Sequence, residues 1–233
     1  FLITGATGFF GLWLLSSLVE LNTKYKCNIR IFALSRDPEL FIKNNTLFKN
    51  KVVFIKGDIR NFNLDDIKID YCFHMATTNA HETFNNEDQL NKIDLLYNGT
   101  KNLMQQLIKA DIKKIIFTSS GVVYGPLGSW KDGREKAPAA LCRKVLNAKI
   151  NNDNKIEVWG DGKQTRTFLY IDDCIEGTLR LFESDYSEPV NIGSDEQVSI
   201  NQMIEIIEKI SGIEKLEREY QLDKPKGVRG RSS

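Results

Sequence analysis

The stretch FLITGATGFFG, residues 1–11, decides the fold of this chain. Its first four residues have the pattern of a short buried strand, three glycines follow at a spacing of three, and residues 12–21 are apolar at helical periodicity. A strand, a glycine-rich turn and a helix in this order are typical of a dinucleotide-binding unit. Gly5 permits the tight turn, Gly8 lets the backbone approach a pyrophosphate, and Gly11 lets the helix pack closely on the strand. The sequence therefore predicts a bound dinucleotide whose phosphates meet the N-terminus of the first helix.

Four further apolar segments have the length and composition of buried strands, namely residues 28–34, 52–55, 71–74 and 114–120. A helical pattern over residues 86–110 precedes the last of them. Strands that alternate with helices predict an α/β fold with a doubly wound parallel sheet of the Rossmann type. Ligands of such sheets lie at the carboxyl ends of the strands, so residues at these ends are the first candidates for a site.

Polar residues at those strand ends match parts of a dinucleotide. Arg36 follows the second strand, where proteins that bind NAD carry an acidic residue, and an arginine can pair with a 2′-phosphate. This favours NADP, although NAD stays open. Asp58 follows the third strand and can accept a hydrogen bond from an adenine amino group, although acidic residues also cap turns for local reasons. His74 and Ser120 end the fourth and fifth strands, so we expect all four residues at one edge of the sheet.

The composition argues against several other classes of protein. The 233 residues carry a net charge of +1, which gives no basis for binding nucleic acid or an anionic membrane surface. The apolar run of residues 9–21 is too short to span a bilayer. The four cysteines and two histidines show no spacing typical of a metal site or a disulfide framework. We expect no metal ion, no membrane and no nucleic acid partner, and a reducing, cytoplasmic compartment.

Beyond residue 125 the pattern changes to shorter elements. We predict helices over residues 137–150 and 172–183, and short strands over residues 156–159, 167–171 and 190–193. A third helix is expected to open at a capping box made by Ser199 and Gln202 and to close at Gly212. These elements predict a small C-terminal lobe.

Six motifs spread over nearly the whole chain are similar to those of one family. They are TGATGFFG at residues 4–11, GDIR at 57–60, HMAT at 74–77, TSSGVVYG at 118–125, GDGKQTRTF at 160–168 and NIGS at 191–194. With these motifs the chain resembles the NAD(P)-dependent epimerase/dehydratase family, the extended short-chain dehydrogenases/reductases that act on nucleotide sugars. The resemblance implies an enzyme that uses NAD or NADP and works by transient oxidation at a sugar carbon. It assigns cofactor binding to Gly5, Thr7, Gly8, Phe9, Phe10, Gly11, Arg36, Asp58, Ile59, Met75 and Ala76.

The second half of the chain is most similar to members of this family that act on GDP-mannose. The matching segments include SWKDGREKAPAA at residues 129–140 and CRK at residues 142–144. The resemblance implies a GDP-mannose-like nucleotide-diphosphate sugar as substrate, bound by Gly121, Val122, Glu135, Ala137, Lys144, Gln164, Thr165, Arg166 and Arg231. Ser120 and Lys136 are the implied catalytic residues, and Val122 stands where these relatives carry an acid/base cysteine.

The resemblance also divides the chain into two functional parts. We predict an NAD(P)-binding Rossmann domain over residues 1–124 and a truncated nucleotide-sugar-binding portion over residues 125–233. The open edge of the fifth strand favours pairing with another chain, so a homodimer is a candidate assembly.

The Tyr-x-x-x-Lys helix that performs proton transfer in this family is missing after the fifth strand. Two pairs elsewhere, Tyr97 with Lys101 and Tyr220 with Lys224, have the spacing but lie on other elements. A single VYGP motif, residues 123–126, takes the place of two such motifs in the family, so we expect the catalytic helix and the sixth strand to be missing. A deletion, a gene-model error or a join of two related genes would each produce this pattern. The alternative function is therefore a non-catalytic remnant that binds a dinucleotide or a nucleotide sugar.

Overall fold

The computed structural model describes residues 1–65, 67–77, 89–119, 123–131 and 135–224, and the backbone of residues 230–231. The chain divides into two compact units, Phe1–Ser120 and Gly121–Ser233. Each unit has its own cluster of buried apolar residues, so each is described by itself.

A five-stranded parallel sheet organises the first unit. Its strands are β1 (Leu2–Thr4), β2 (Phe32–Ser35), β3 (Val53–Lys56), β4 (Tyr71–His74) and β5 (Lys114–Phe117). They lie in the order β3-β2-β1-β4-β5, and every neighbouring pair is parallel. The strand order changes direction beside β1, which is where Rossmann-type sheets bind dinucleotides. The predicted α/β fold with a parallel Rossmann-type sheet is confirmed.

Helices connect the strands of this sheet. They are α1 (Phe9–Tyr25), α2 (Pro38–Asn44), a short 3₁₀ helix (Thr46–Phe48), α3 (Gln89–Asp94), a π-helical turn (Leu95–Gly99) and α4 (Thr100–Lys109). The last three follow one another without a break and confirm the helix predicted over residues 86–110, of which residues 86–88 lie outside the described part of the chain. Leu2, Leu103 and Leu107 are fully buried in one apolar cluster, which fixes α4 on the sheet.

Two strands of the first unit are shorter than predicted. β2 starts at Phe32 rather than residue 28, because Asn28 adopts a φ of +58° and the side chain of Asn22 binds Ile29. That side chain accepts a hydrogen bond from the Ile29 N–H at 2.7 Å and donates one to its carbonyl at 2.5 Å, which turns the chain before strand pairing begins. β5 ends at Phe117, short of the predicted residue 120.

The second unit contains the three predicted helices. They are α5 (Ala137–Asn151), α6 (Ile171–Glu183) and α7 (Ile200–Ser211). Pro138 lies in the first turn of α5, as expected for a residue without a backbone N–H. Ser199 and Gln202 form the predicted capping box, and Gly212 ends α7 at a φ of +62°. Among the described residues, no helix combines the length and the apolar character that crossing a membrane requires.

The described strands of the second unit are short and form small sheets. They are β6 (Val123–Tyr124), β7 (Lys155–Trp159), β8 (Thr165–Arg166), β9 (Leu169–Tyr170), β10 (Val198–Ser199), β11 (Glu217–Gln221) and β12 (Gly230–Arg231). β6 pairs with β9, β7 pairs with β11, and β8 lies between β10 and β12.

Three details of the second unit differ from the predictions. Residues 167–171 do not form one strand, since β8 ends before them and β9 contains only two of them. Residues 190–193 form no strand, and Ile192 packs instead on α6, with its Cγ2 2.7 Å from the position that a Cβ on Gly177 would take. β11 was not predicted, because its sequence EREYQ lacks an apolar pattern, yet it pairs in parallel with all five residues of β7.

Candidate functional site

The glycine turn packs directly against the segment that follows β4. Gly5 has a φ of +72°, and a Cβ at this position would lie 2.6 Å from the carbonyl carbon of Met75 and 2.8 Å from the nitrogen of Ala76. Gly11 packs on the turn itself, because its Cβ would lie 2.7 Å from the Cα of Ala6. Only glycine allows both close approaches, so the turn, α1 and the end of β4 form one rigid surface.

The N-terminus of α1 is suited to an anion. Gly8 is its N-cap and has no side chain to cap the helix, and the first turn carries no acidic residue. The Gly8 N–H donates to the Gly5 carbonyl at 3.0 Å, which holds the turn under the helix end. The predicted cofactor residues Thr7, Phe9 and Phe10 are exposed or half-buried here. The helix dipole and its first N–H groups favour phosphate, so this geometry fits the pyrophosphate of a dinucleotide.

A buried hydrogen-bond network beneath the turn holds Met75 and Ala76. Thr4 Oγ1 lies 2.6 Å from Nδ1 of His74, and it accepts hydrogen bonds from the N–H of Met75 at 3.2 Å and of Ala76 at 3.4 Å. The Thr4 hydroxyl therefore donates to Nδ1, which makes Nε2 the protonated nitrogen, directed at Thr100 Oγ1 at 3.4 Å. Burial lowers the pKa of His74 to about 4, so the ring is neutral.

The end of β2 leaves a positive charge exposed. Ser35 is buried, and its Oγ accepts a hydrogen bond from the Asp37 N–H at 3.2 Å. The Asp37 carboxylate caps α2 by accepting from the Leu40 N–H at 3.0 Å. Arg36 between them is exposed. The acidic residue of this strand end thus has a local structural role, while the guanidinium is accessible to a 2′-phosphate.

Asp58 is held by its neighbour Arg60 at the end of β3. Its Oδ1 accepts from the Arg60 Nε at 2.7 Å and from the Arg60 backbone N–H at 3.0 Å, and its Oδ2 accepts from a terminal guanidinium nitrogen at 2.9 Å. The hydrogen bonds from Arg60 keep the pKa of Asp58 below its usual value although burial opposes this, and the charge of Arg36 contributes. The structure therefore brings Arg36 and Asp58, two predicted cofactor residues, within electrostatic reach of each other.

Thr118, at the end of β5, is fixed by two hydrogen bonds. Ser120 and the substrate residues Gly121 and Val122 are outside the described part of the chain. Thr118 precedes them, and its backbone N–H and Oγ1 both donate to the His74 carbonyl, at 3.0 and 3.1 Å. The strand-end segment that leads to Ser120 is thus anchored on the same histidine that supports the glycine turn.

No described element supplies the missing Tyr-x-x-x-Lys helix. Residues 118–122 alone separate β5 from β6, which is too short a connection for such a helix. Tyr97 is exposed on the π-helical turn before β5, and Tyr220 lies in β11 opposite Val158. Burial, together with the nearby carboxylate of Asp173, raises the pKa of Tyr124, the opposite of what a proton-accepting tyrosine needs. Tyr97 thus lies before β5 and Tyr220 lies in a strand, so neither tyrosine belongs to a helix that follows β5.

The start of α5 gathers three of the predicted substrate and catalytic residues. Glu135 forms an ion pair with Arg143, and the Arg143 Nε donates to the Trp130 carbonyl at 3.1 Å. Lys136 is the N-cap of α5, and Ala137 is its first residue. The acidic side chain is thus tied to the first turns of the helix.

Lys144 is held on β7. Its Nζ donates to the Glu157 carbonyl at 3.0 Å and lies 5.7 Å from the centre of the Trp159 ring. A ligand phosphate that binds Lys144 would have to replace these contacts or form a further bond to the same ammonium group.

The predicted phosphate-binding segment follows β7. Gln164 is 8% exposed, and its side-chain amide donates to the Trp159 carbonyl at 2.9 Å. Thr165 and Arg166 form β8, and Arg166 is paired in register with Arg231 of β12. Backbone pairing therefore places two predicted phosphate-binding arginines on adjacent strands.

Sequence reasoning missed three residues that shape the candidate site, namely Thr4, Arg60 and Asn102, and it did not predict that Thr4 binds His74. Thr4 and Arg60 stand inside quoted motifs, so their positions carried a signal. Asn102 carried no such signal, because a lone polar residue on a helix has no pattern of its own.

Among the described residues, no group of three or more His, Cys, Asp or Glu side chains is placed to hold a metal ion.

Two family models match the chain. A model described as the 3-beta hydroxysteroid dehydrogenase/isomerase family matches residues 2–152, and one described as the NAD dependent epimerase/dehydratase family matches residues 131–193. These matches agree with the resemblance predicted from the motifs.

Two individual proteins with similar sequences are sugar-nucleotide epimerases by name. GDP-mannose 3,5-epimerase from Arabidopsis thaliana is 56% identical over 111 residues, which make up 48% of this chain and 28% of the relative. A candidate UDP-glucose 4-epimerase from Methanocaldococcus jannaschii is 27% identical over 259 residues, covering 88% of this chain and 80% of the relative. The chain therefore matches less than a third of the Arabidopsis protein and most of the archaeal one.

A solved structure confirms the fold. UDP-N-acetylglucosamine 4-epimerase from Methanobrevibacter ruminantium superposes with a TM-score of 0.80 at 18% identity, covering 100% of this chain and 88% of that structure.

Proposed function

We propose that this chain, which belongs to the 3-beta hydroxysteroid dehydrogenase/isomerase family, is an NAD(P)-dependent nucleotide-sugar epimerase/dehydratase. The observation that carries the proposal is the glycine turn. Gly5 and Gly11 make backbone contacts that no other residue permits, and the uncapped end of α1 lies at the same edge of the parallel sheet as Arg36 and Asp58. This arrangement supports binding of a dinucleotide with residues 1–124. When bound, NAD(P) supplies transient oxidation of a sugar carbon.

The second part of the proposal is the substrate. The 56% identity to an enzyme named for GDP-mannose supports a GDP-mannose-like nucleotide-diphosphate sugar. Residues 125–233 carry the basic residues for its phosphates, with Arg166 and Arg231 on adjacent strands and Lys144 on α5. Arginine is suited to this role because its planar fork pairs with two phosphate oxygens at once. Ser120 and Lys136 are the proposed catalytic residues.

A second candidate function is binding without turnover. The short connection between β5 and β6 favours it, because the family's proton-transfer helix has no place there. The alignment with the archaeal relative is longer than the 233 residues of this chain, so that relative carries residues that have no counterpart here. In this case the chain would bind NAD(P) or a nucleotide sugar and leave the ligand unchanged.

One experiment on the full chain separates the two functions. Fluorescence titration measures binding of NADPH and NADH, calorimetry measures binding of GDP-mannose, and NMR in deuterated water follows exchange of sugar protons. Epimerisation or proton exchange with added NAD(P) supports the enzyme. Binding of a dinucleotide or of GDP-mannose without exchange supports the second candidate. Failure to bind NADPH, NADH and GDP-mannose would overturn both functions.

Substitution of Arg36 tests the choice of cofactor. Arg36→Ala is expected to lower the affinity for NADPH about tenfold and that for NADH less than about twofold, because a charge-assisted bond to the 2′-phosphate is lost. Lys43→Ala, an exposed cation in the last turn of α2, is the matched control and should leave both affinities unchanged. Equal losses for the two cofactors in Arg36→Ala would contradict the NADP preference.

A further inference from the structure

We propose that Arg60 and Asn102 are positioning residues that hold the loop after β3 against the helix before β5, and so fix Asp58 as an acceptor for the amino group of adenine. The inference rests on the proposed dinucleotide binding. It adds residues that touch no ligand themselves but determine which nucleobase the site accepts. The loop is defined here as residues 58–64.

The guanidinium group of Arg60 links the loop to α3. One side of its guanidinium binds both carboxylate oxygens of Asp58, at 2.7 and 2.9 Å. The remaining terminal nitrogen donates to Asn91 Oδ1 at 2.9 Å and to Asp94 Oδ2 at 3.0 Å, both on α3. Because the guanidinium is planar, fixing one edge on α3 fixes the orientation of the other edge and of the carboxylate on it.

Asn102 holds the backbone of the same loop. Its side-chain amide donates to the carbonyls of Ile59 and Phe62, at 3.0 and 3.2 Å. The helix also approaches the loop closely at Gly99, where a Cβ would lie 2.7 Å from the Cγ2 of Ile59. One turn beyond Asn102, Gln106 Oε1 accepts from the Leu64 N–H at 3.3 Å. The helix therefore fixes both ends of the loop, independently of the Arg60 side chain.

The chemical consequence concerns the nucleobase. A carboxylate that is held ionised by a guanidinium can accept hydrogen bonds but cannot donate one. Adenine offers an exocyclic amino group to such an acceptor, whereas hypoxanthine offers a carbonyl oxygen at the same position. A fixed Asp58 carboxylate therefore favours adenine, because it repels the carbonyl oxygen of hypoxanthine. A mobile Asp58 carboxylate loses this preference, because its negative charge is no longer held at that position.

The test compares two cofactors in two arginine variants. Binding of NADH and of reduced nicotinamide hypoxanthine dinucleotide is titrated with the wild type, with Arg60→Lys and with Arg180→Lys. Lysine keeps the charge but cannot bind the carboxylate and α3 in one plane. Arg60→Lys is expected to lower the affinity for NADH about tenfold and to change that for the hypoxanthine analogue less than twofold. Arg180, which pairs with Glu176 on the surface of α6, is the matched control, and its variant should keep the wild-type preference.

A second variant and thermal melts test whether the loss of NADH affinity comes from loss of the folded structure. Asn102→Asp removes the donor to Ile59 and Phe62 without changing the size of the side chain, so it should reduce the preference for adenine in the same way. Thermal melts of each variant establish that it is folded at the temperature of the titration. Equal losses for both dinucleotides, or an unchanged preference, would overturn the inference alone. A wild type that binds neither of these dinucleotides nor NADPH would overturn the proposed function and the inference with it.

Discussion

Gly11→Ala is expected to lower the midpoint of thermal unfolding by about 6–12 °C, which corresponds to about 3 kcal/mol of overpacking. The added Cβ would lie 2.7 Å from the Cα of Ala6 and closer still to the carbonyl oxygen of Gly5. Both atoms belong to the backbone and cannot rotate away, so α1 has to move off β1. Differential scanning calorimetry measures the midpoint. Titration with NADPH should show loss of binding in the same variant, because the helix end and the turn are displaced together.

Gly8→Ala is the control for this prediction. Gly8 has a φ of −80°, which any residue adopts, and its Cβ would meet the Gly5 carbonyl oxygen at 3.3 Å. The thermal midpoint should therefore move by less than about 2 °C. NADPH affinity should still fall, since a methyl group occupies the space in which a pyrophosphate approaches the backbone. A Gly11→Ala midpoint as close to the wild type as that of Gly8→Ala would contradict the prediction.

Arg218→Ala is expected to destabilise the second unit by about 3–5 kcal/mol. The Arg218 and Glu208 side chains are 8% and 6% exposed and form two hydrogen bonds, at 2.5 and 2.9 Å. Glu208 also accepts from the Leu216 N–H at 2.8 Å. Of the partners named here, removal of the arginine leaves the buried Glu208 carboxylate only the Leu216 N–H. This lowers the free energy of unfolding far more than the loss of an exposed ion pair does. Urea denaturation followed by tryptophan fluorescence, to which Trp159 on the neighbouring β7 contributes, measures the change.

The same pair predicts a dependence on pH. Burial by itself raises the pKa of Glu208, but the hydrogen bonds from Arg218 and Leu216 outweigh it and hold the pKa below the usual 4.5. The unfolded chain therefore binds a proton more readily than the folded one, so the contribution of the pair is complete above about pH 4.5 and is lost as the pH falls through the lower folded value. Arg218→Ala should lack this acid-dependent loss.

An exposed pair serves as the control for Arg218→Ala. Arg180 and Glu176 are paired on the surface of α6, with both side chains more than half exposed. Arg180→Ala should cost no more than about 0.5 kcal/mol. If the two alanine variants unfold at the same urea concentration, the buried Glu208 pair stabilises the fold no more than the exposed pair does, and the prediction is contradicted.

Local patterns in the sequence predicted the sheet and the helices well. The glycine turn, the capping box at Ser199 and the closing glycine at residue 212 are each determined by neighbouring residues, and each is observed as predicted. The wrong details depend on contacts with residues outside the segment that was interpreted. Asn22 shortens β2 by binding Ile29, and β11 forms because β7 offers it a partner, although neither event leaves a pattern in the segment itself.

The candidate site divides in the same way. Residues that act through backbone shape or charge at a strand end, such as Gly5, Arg36 and Asp58, were predictable because the fold decides where strand ends lie. Arg60 joins Asp58 to Asp94, which lies 34 positions away from it, and Asn102 binds the backbone carbonyl of Ile59, which lies 43 positions away. Their roles follow only from the packing of the loop after β3 on the helix before β5.

The neutral histidine beneath the glycine turn also affects the choice of conditions for a kinetic study. With a pKa of about 4, the folded-state His74 carries no charge between pH 6 and pH 9, so its hydrogen bonds beneath the glycine turn keep one protonation state over that range. A change of dinucleotide affinity or turnover between pH 6 and pH 9 therefore reports on other groups. Acid below that range acts through unfolding, because an unfolded His74 takes up the proton that the folded chain excludes.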